Sequence, residues 1–153
     1  MLALLLLLLQ SPPEETFGHK IGADEKLPSW EKVVSFYRRL EKESDRVRVE
    51  EKGTSTEGRH MLLVTVTSAA NLKRIDAIQA TQRKIAAGDD KEAGDAPAVV
   101  MFIATQHSTE VASTQTLCEF AHALAAVKDK ATLELLDHAI VLLVASANPD
   151  GVD

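Results

Sequence analysis

A single cysteine, Cys118, excludes an internal disulfide. It lies beside Leu117 and Phe120 in a stretch with helical apolar spacing, where a small buried hydrophobe is the simplest reading. A nucleophilic thiol would need a nearby histidine and an electropositive setting. Basic residues are also in short supply: 17 Lys and Arg stand against 23 Asp and Glu, a formal charge of −6. No basic stripe runs through the chain, which argues against nucleic acid as a partner. Nor does any apolar run reach the roughly 20 residues of a bilayer crossing, so no stable membrane span is expected. Internal repeats are missing as well. What remains is 153 residues with 45% hydrophobic and 26% charged residues, enough for one modest domain with a real core.

The most concentrated apolar segment is Met1 to Leu9, with seven leucines and no charge. Its length and composition fit the apolar core of a secretory signal, implying a secreted, periplasmic or cell-envelope location. No basic residue precedes it and no small-x-small site follows it, so a low-complexity segment without a targeting role is the alternative. Residues 1–13 are set apart from the fold as a partial signal-like segment. Residues 14–28 are polar, carry Gly18, Gly22 and Pro28, and read as an extended lead-in.

The domain proper is expected over residues 29–153. Ser29 is a plausible N-cap for a helix to about Glu43, with Val33, Val34, Tyr37 and Leu40 at helical spacing. Residues 46–52 and 61–67 alternate apolar and polar, which predicts two strands joined in a hairpin through the turn-rich 53–58. One amphipathic surface helix is expected over 71–87 and an acidic loop over 88–97. Two uninterrupted apolar runs follow, AVVMFIA at 98–104 and AIVLLVA at 139–145, each with the pattern of a central strand covered on both faces. Helices are expected between them, over about 108–127 and 131–136. This order specifies an α/β fold, a mixed sheet sandwiched by helices, and resembles the opening part of a larger domain. The run 139–145 is expected to lack a neighbour on one side.

Chemistry concentrates where these apolar runs end. After 98–104 comes Gln106-His107-Ser108-Thr109-Glu110, at the carboxyl end of a strand, where open α/β sheets bind ligands. His107 and Glu110, three apart, fall on one side of a helical turn. Imidazole nitrogen and carboxylate oxygen both suit zinc, and such a pair supplies two of the three protein ligands of a catalytic site. A capped helix start with a solvated His and Glu is the plain alternative. Asn148-Pro149-Asp150-Gly151 closes the second run and reads locally as a good turn. Thr54 to Arg59 reads as a polar turn with Arg59 paired to a carboxylate.

Taken in order, FGHKIGAD, LPSWEKVVSFYRRLEKESDRVRVEEKGTSTEGR, HSTEVASTQ and ANPDGVD resemble the zinc metallocarboxypeptidases of the carboxypeptidase A type, and within them a bacterial exported branch. The resemblance runs from about Phe17 to Asp153. It implies the zinc-peptidase (phosphorylase/hydrolase-like) fold, a Zn2+ cofactor, a peptide or protein substrate, and His107 and Glu110 as metal ligands. The family's third ligand, its carboxylate-gripping asparagine–arginine pair, its oxyanion arginine and its general-base glutamate lie beyond the NPDG turn. None has a counterpart in residues 1–153, so no catalytic residue is assigned within them, and the chain is expected to be inactive alone. Where many relatives carry an arginine before the ligand glutamate, this chain has Thr109, and polar Gln106 precedes His107. Two other functions fit the same residues: a non-catalytic peptide- or protein-binding module on a degenerate peptidase fold, or a zinc amidohydrolase acting on acylated amino acids or cell-wall peptides.

Overall fold

The computed structural model describes residues 10–89, 91, 93, 94 and 96–153. The leucine-rich residues 1–9 lie outside this set. The alternation of Val47 and Val49 with Arg48 and Glu50 produces β1 (Val47–Thr54), which pairs antiparallel with β2 (His60–Val66) as the expected hairpin. Val47 faces Val66 and Val49 faces Val64, so the valines of both strands share the buried face. The chain then crosses the sheet to β3 (Ala98–Ile103) and returns to β4 (Ala139–Val144), giving the order β1-β2-β4-β3. β4 is antiparallel to β2 and parallel to β3, so the sheet is mixed.

Helices cover both faces. α2 (Trp30–Glu43) buries Val33, Phe36, Tyr37 and Leu40, the apolar stripe of a 3.6-residue period. α5 (Val111–Ala126) buries Leu117, Cys118, Ala121 and Ala125. Together they pack on Val64, Val66, Val141 and Leu143 to form the main core. The opposite face carries a smaller cluster of Ile75 and Ile78 over Ile140, with Leu142 against it.

The helix expected over 71–87 is divided into α3 (Ala69–Lys73) and α4 (Ile75–Ala86), with Arg74 between them at φ −115°. The cause is Asn71, a buried polar residue whose side-chain amide must find partners. Its nitrogen donates to the Thr67 hydroxyl and to the Leu136 and Asp137 carbonyls, while its oxygen accepts from Arg74. That network fixes the first turn to the end of α6 (Lys130–His138).

Two expected boundaries shift. Residues 14–28 are not uniformly extended: Pro13–Phe17 form a short helix, α1, ended by Gly18 in the left-handed region at φ 78°. Phe17 is 1% exposed and its ring lies 6.0 Å from that of Phe36, so the lead-in contributes to the core. Gln10 to Pro13, set apart from the fold on sequence grounds, are tied to it. The Ser11 amide donates to Glu43 at 2.7 Å, and Arg39 donates to the Ser11 and Pro12 carbonyls. These bonds are long-range and polar, which no local periodicity reveals.

The two apolar runs also exchange their expected roles. β4, expected to lack a neighbour, lies between β2 and β3. β3, expected to be central and covered on both faces, is among the described residues paired on one side only, by β4, with all six residues exposed.

Candidate metal centre at the carboxyl ends of β3 and β4

Because β3 and β4 run parallel, the segments that follow them emerge at one edge of the sheet and bond to each other. The Ala147 amide donates to Ala104 at 2.8 Å, and the Asn148 amide to Thr105 at 3.0 Å. The Asn148 side chain reaches the Gln106 carbonyl at 3.3 Å and accepts from the Gly151 amide at 3.2 Å. Pro149–Gly151 form a single 3-10 turn against the 106–110 loop. A Cβ at Gly151 would stand 2.7 Å from the Asn148 side-chain nitrogen and 3.0 Å from the Ser108 Cβ. A side chain at this position would have to displace the Asn148 amide and press on Ser108.

Thr105 turns the chain from β3 into that loop. Its φ of 45° is rare for a β-branched residue, a conformation the surroundings must hold. They do so through hydroxyls. The Thr105 amide donates to Ser113 at 3.0 Å, and the Thr105 hydroxyl lies 2.8 Å from that of Ser113 and 2.7 Å from that of Thr114. Thr114 in turn donates to the Ala145 carbonyl just after β4. The sequence reading did not single out these three residues. Ser113 and Thr114 belong to the hydroxyl-rich STQT at the start of the helix, whereas Thr105 carries no such local signal.

His107 and Glu110 meet. Glu110 is the N-cap of α5, so both residues lie in the turn before the helix, closed by the Glu110 amide to the His107 carbonyl at 3.0 Å, and not in its first turn. His107 Nδ1 stands 3.0 Å from Glu110 Oε1, with the side chains 75% and 44% exposed. Glu110 Oε2 accepts from the Gln106 and His107 amides at 2.8 and 3.1 Å. The His107 side-chain contact first, and these two amides next, hold the Glu110 carboxyl below its ordinary titration range. It is therefore anionic at neutral pH. Adjacent, solvent-facing nitrogen and oxygen donors fit a zinc ion as two of its ligands. Among the described residues no group of three or more His, Cys, Asp or Glu comes together to complete a set. His122 bonds to the Gln10 carbonyl at 2.9 Å, away from the pair.

Arg59 anchors the adjoining loops. Its guanidinium donates to Glu57, to Asp150 at 3.1 Å and to Asp153 at 3.1 Å. Asp150 also accepts from the Ser55 hydroxyl, and Asp153 from the Trp30 amide at 2.7 Å. The Ser55 hydrogen bond first, and Arg59 with it, keep Asp150 below the usual carboxylate range. The hairpin turn thus holds the 148–151 turn, which holds the loop carrying His107.

The family model described as zinc carboxypeptidase matches residues 33–153. Solved structures with the same fold include thrombin-activatable fibrinolysis inhibitor, at 16% identity and a TM-score of 0.63, covering 95% of this chain and 32% of that one. Carboxypeptidase A from Helicoverpa armigera is 22% identical, with a TM-score of 0.61, and the match covers 92% of this chain and 31% of that one. A metallo-carboxypeptidase from Burkholderia cenocepacia is 21% identical, with a TM-score of 0.58, over 82% and 28%. The chain therefore spans about a third of the length of these structures. No curated protein matches it. By the family match over most of its length, with the mixed sheet and helical layers in agreement, the chain belongs to the zinc carboxypeptidase family.

Proposed function

We propose that this chain supplies part of a zinc-dependent carboxypeptidase that removes C-terminal residues from peptides, with His107 and Glu110 as two of the metal ligands. The observation that carries the reading is the 3.0 Å approach of His107 to Glu110 at the carboxyl end of β3, inside the matched segment. Bound there, zinc would polarise a substrate carbonyl and bring the pKa of its water to about 7. The chain's own residues hold the donors in place: amides orient the Glu110 carboxylate, and Asn148 and Gly151 fix the loop from the neighbouring strand. Two donors alone make a weak site, since affinity comes from a complete preorganised set. Residues 1–153 by themselves are accordingly inactive. The reading also has the protein exported, on the leucine-rich residues 1–9.

The test is hydrolysis by a form that carries these residues together with the remaining donors. Release of the last amino acid from peptides with free but not amidated C-termini, abolished by a chelator and by His107→Ala, is the expected result. Cleavage inside the peptide, or turnover indifferent to His107→Ala, overturns the proposal.

A further inference from the structure

Thr105 stands where the chain leaves β3 for the loop carrying His107 and Glu110, at φ 45°. Glycine takes this backbone conformation at little cost, whereas a β-branched side chain resists it. Such a conformation persists only where the surroundings over-determine it. Here they hold every polar group of the residue. Its amide donates to Ser113 at 3.0 Å. Its carbonyl accepts from the Asn148 amide at 3.0 Å and from the Ser146 hydroxyl at 3.4 Å. Its hydroxyl lies 2.8 Å from Ser113 and 2.7 Å from Thr114. Thr105, Thr114 and Ser146 are all buried, so water is a poor substitute for these bonds.

Counting protons gives the hydroxyls a direction. The Ala145 carbonyl can only accept, so the single Thr114 proton goes to it, at 3.2 Å. Between Thr105 and Thr114 the donor is therefore Thr105. Ser113 accepts from the Thr105 amide and shares its own proton between the Thr105 oxygen and the Glu110 carbonyl, the latter at 2.9 Å. The relay thus runs from Thr105 through Thr114 to the backbone just after β4. Thr114 must accept and donate at once, which a hydroxyl does and a methyl group does not.

The next two amides along the chain, Gln106 and His107, are the ones that hold the Glu110 carboxylate. Their direction is set by the backbone angles of Thr105. We propose that Thr114 is a positioning residue for the His107–Glu110 pair, acting through Thr105 and not by contact with the pair. The inference rests on the reading of that pair as zinc ligands, whose affinity depends on a preorganised loop. Freed from the relay, Thr105 relaxes toward negative φ and the two amides turn off the carboxylate. His107 then loses its register with Glu110.

The test is amide hydrogen exchange of the chain, read by NMR at Gln106 and His107 and, for comparison, along β2. Thr114→Val keeps the side-chain shape and removes both hydrogen-bond roles. Exchange at Gln106 and His107 is expected to rise by at least about tenfold relative to β2. Thr114→Ser, which returns the hydroxyl, is expected to restore the slow rates. Ser113→Ala, at a half-buried position, is expected to speed the same two amides and carries the test if Thr114→Val does not fold. Equal acceleration at all of these amides, or none at Gln106 and His107, overturns the proposal and leaves Thr114 a role in stability alone. Zinc titration followed by the His107 ring signals reads the ligand assignment separately. A weaker response in Thr114→Val than in the unsubstituted chain is expected, and an equal response overturns the positioning role. No response in the unsubstituted chain overturns the ligand reading instead, while the exchange rates still decide the role of Thr114.

Discussion

β3 and β4 are six-residue strands of nearly the same composition, AVVMFI and AIVLLV, paired in parallel over their whole length. Their surroundings are opposite. Ile140 is 2% exposed and Leu143 is 0% exposed, whereas Val99 is 43% and Phe102 is 42% exposed. The difference lies in strand order among the described residues: β4 has β2 on its second side and helices above and below, while β3 has a strand on one side only. An uninterrupted apolar run states that both faces tolerate burial, not that this chain buries them.

The sharpest way to break this contrast is to cut the same amount of side chain from each strand. Leu143→Ala is expected to destabilise the fold by about 2–5 kcal/mol, the cost of a cavity at a sealed site. Met101→Ala, at a side chain that is 52% exposed, is expected to cost less than about 1 kcal/mol. Chemical denaturation of both variants measures the difference, and equal losses would mean that β3 is covered. A second, smaller effect tests how β4 is seated. Asn71→Leu removes the amide that holds α3 to the Leu136 and Asp137 carbonyls just before β4, and is expected to cost about 1–3 kcal/mol by the same assay.

Smaller still is the effect of the turn that joins the two strand ends. Asp150 has its folded pKa lowered, so its contribution is present above the ordinary aspartate value of about 3.9 and is lost as pH falls through the lower folded value. Asp150→Asn is expected to lower the thermal midpoint slightly at pH 7, with the gap to the unsubstituted chain closing in acid. A gap that widens in acid would contradict the assigned ion pair with Arg59. The least perturbing probe is Cys118, 0% exposed beneath β4's covered face, whose thiol burial pushes up to about 12. It is expected to resist thiol reagents at pH 8 until the chain unfolds, and rapid labelling of the native chain would show that this side of the core is open.

Much of the fold was legible because local patterns encode it. The valine alternation gives the hairpin, and the stripes at Val33–Leu40 and Leu117–Ala125 give the two covering helices. The helix break at Arg74, the docking of Gln10 to Pro13 on Glu43 and Arg39, and the edge position of β3 were not legible. Each depends on a partner distant in sequence. At the site, His107 and Glu110 stood out by residue type and by their place after a strand. The hydroxyl contacts of Thr105, Ser113 and Thr114 did not, because a run of Ser and Thr at a helix start is common and its meaning rests on Thr105 taking a positive φ.

His107 and Glu110 are proposed above as two of the three protein ligands of a zinc ion. Zinc titration by calorimetry of the chain, of His107→Ala and of Glu110→Gln tests it most directly. Weak binding at one site that disappears in both variants is expected. Zinc binding of any strength that is unchanged by either substitution would contradict it.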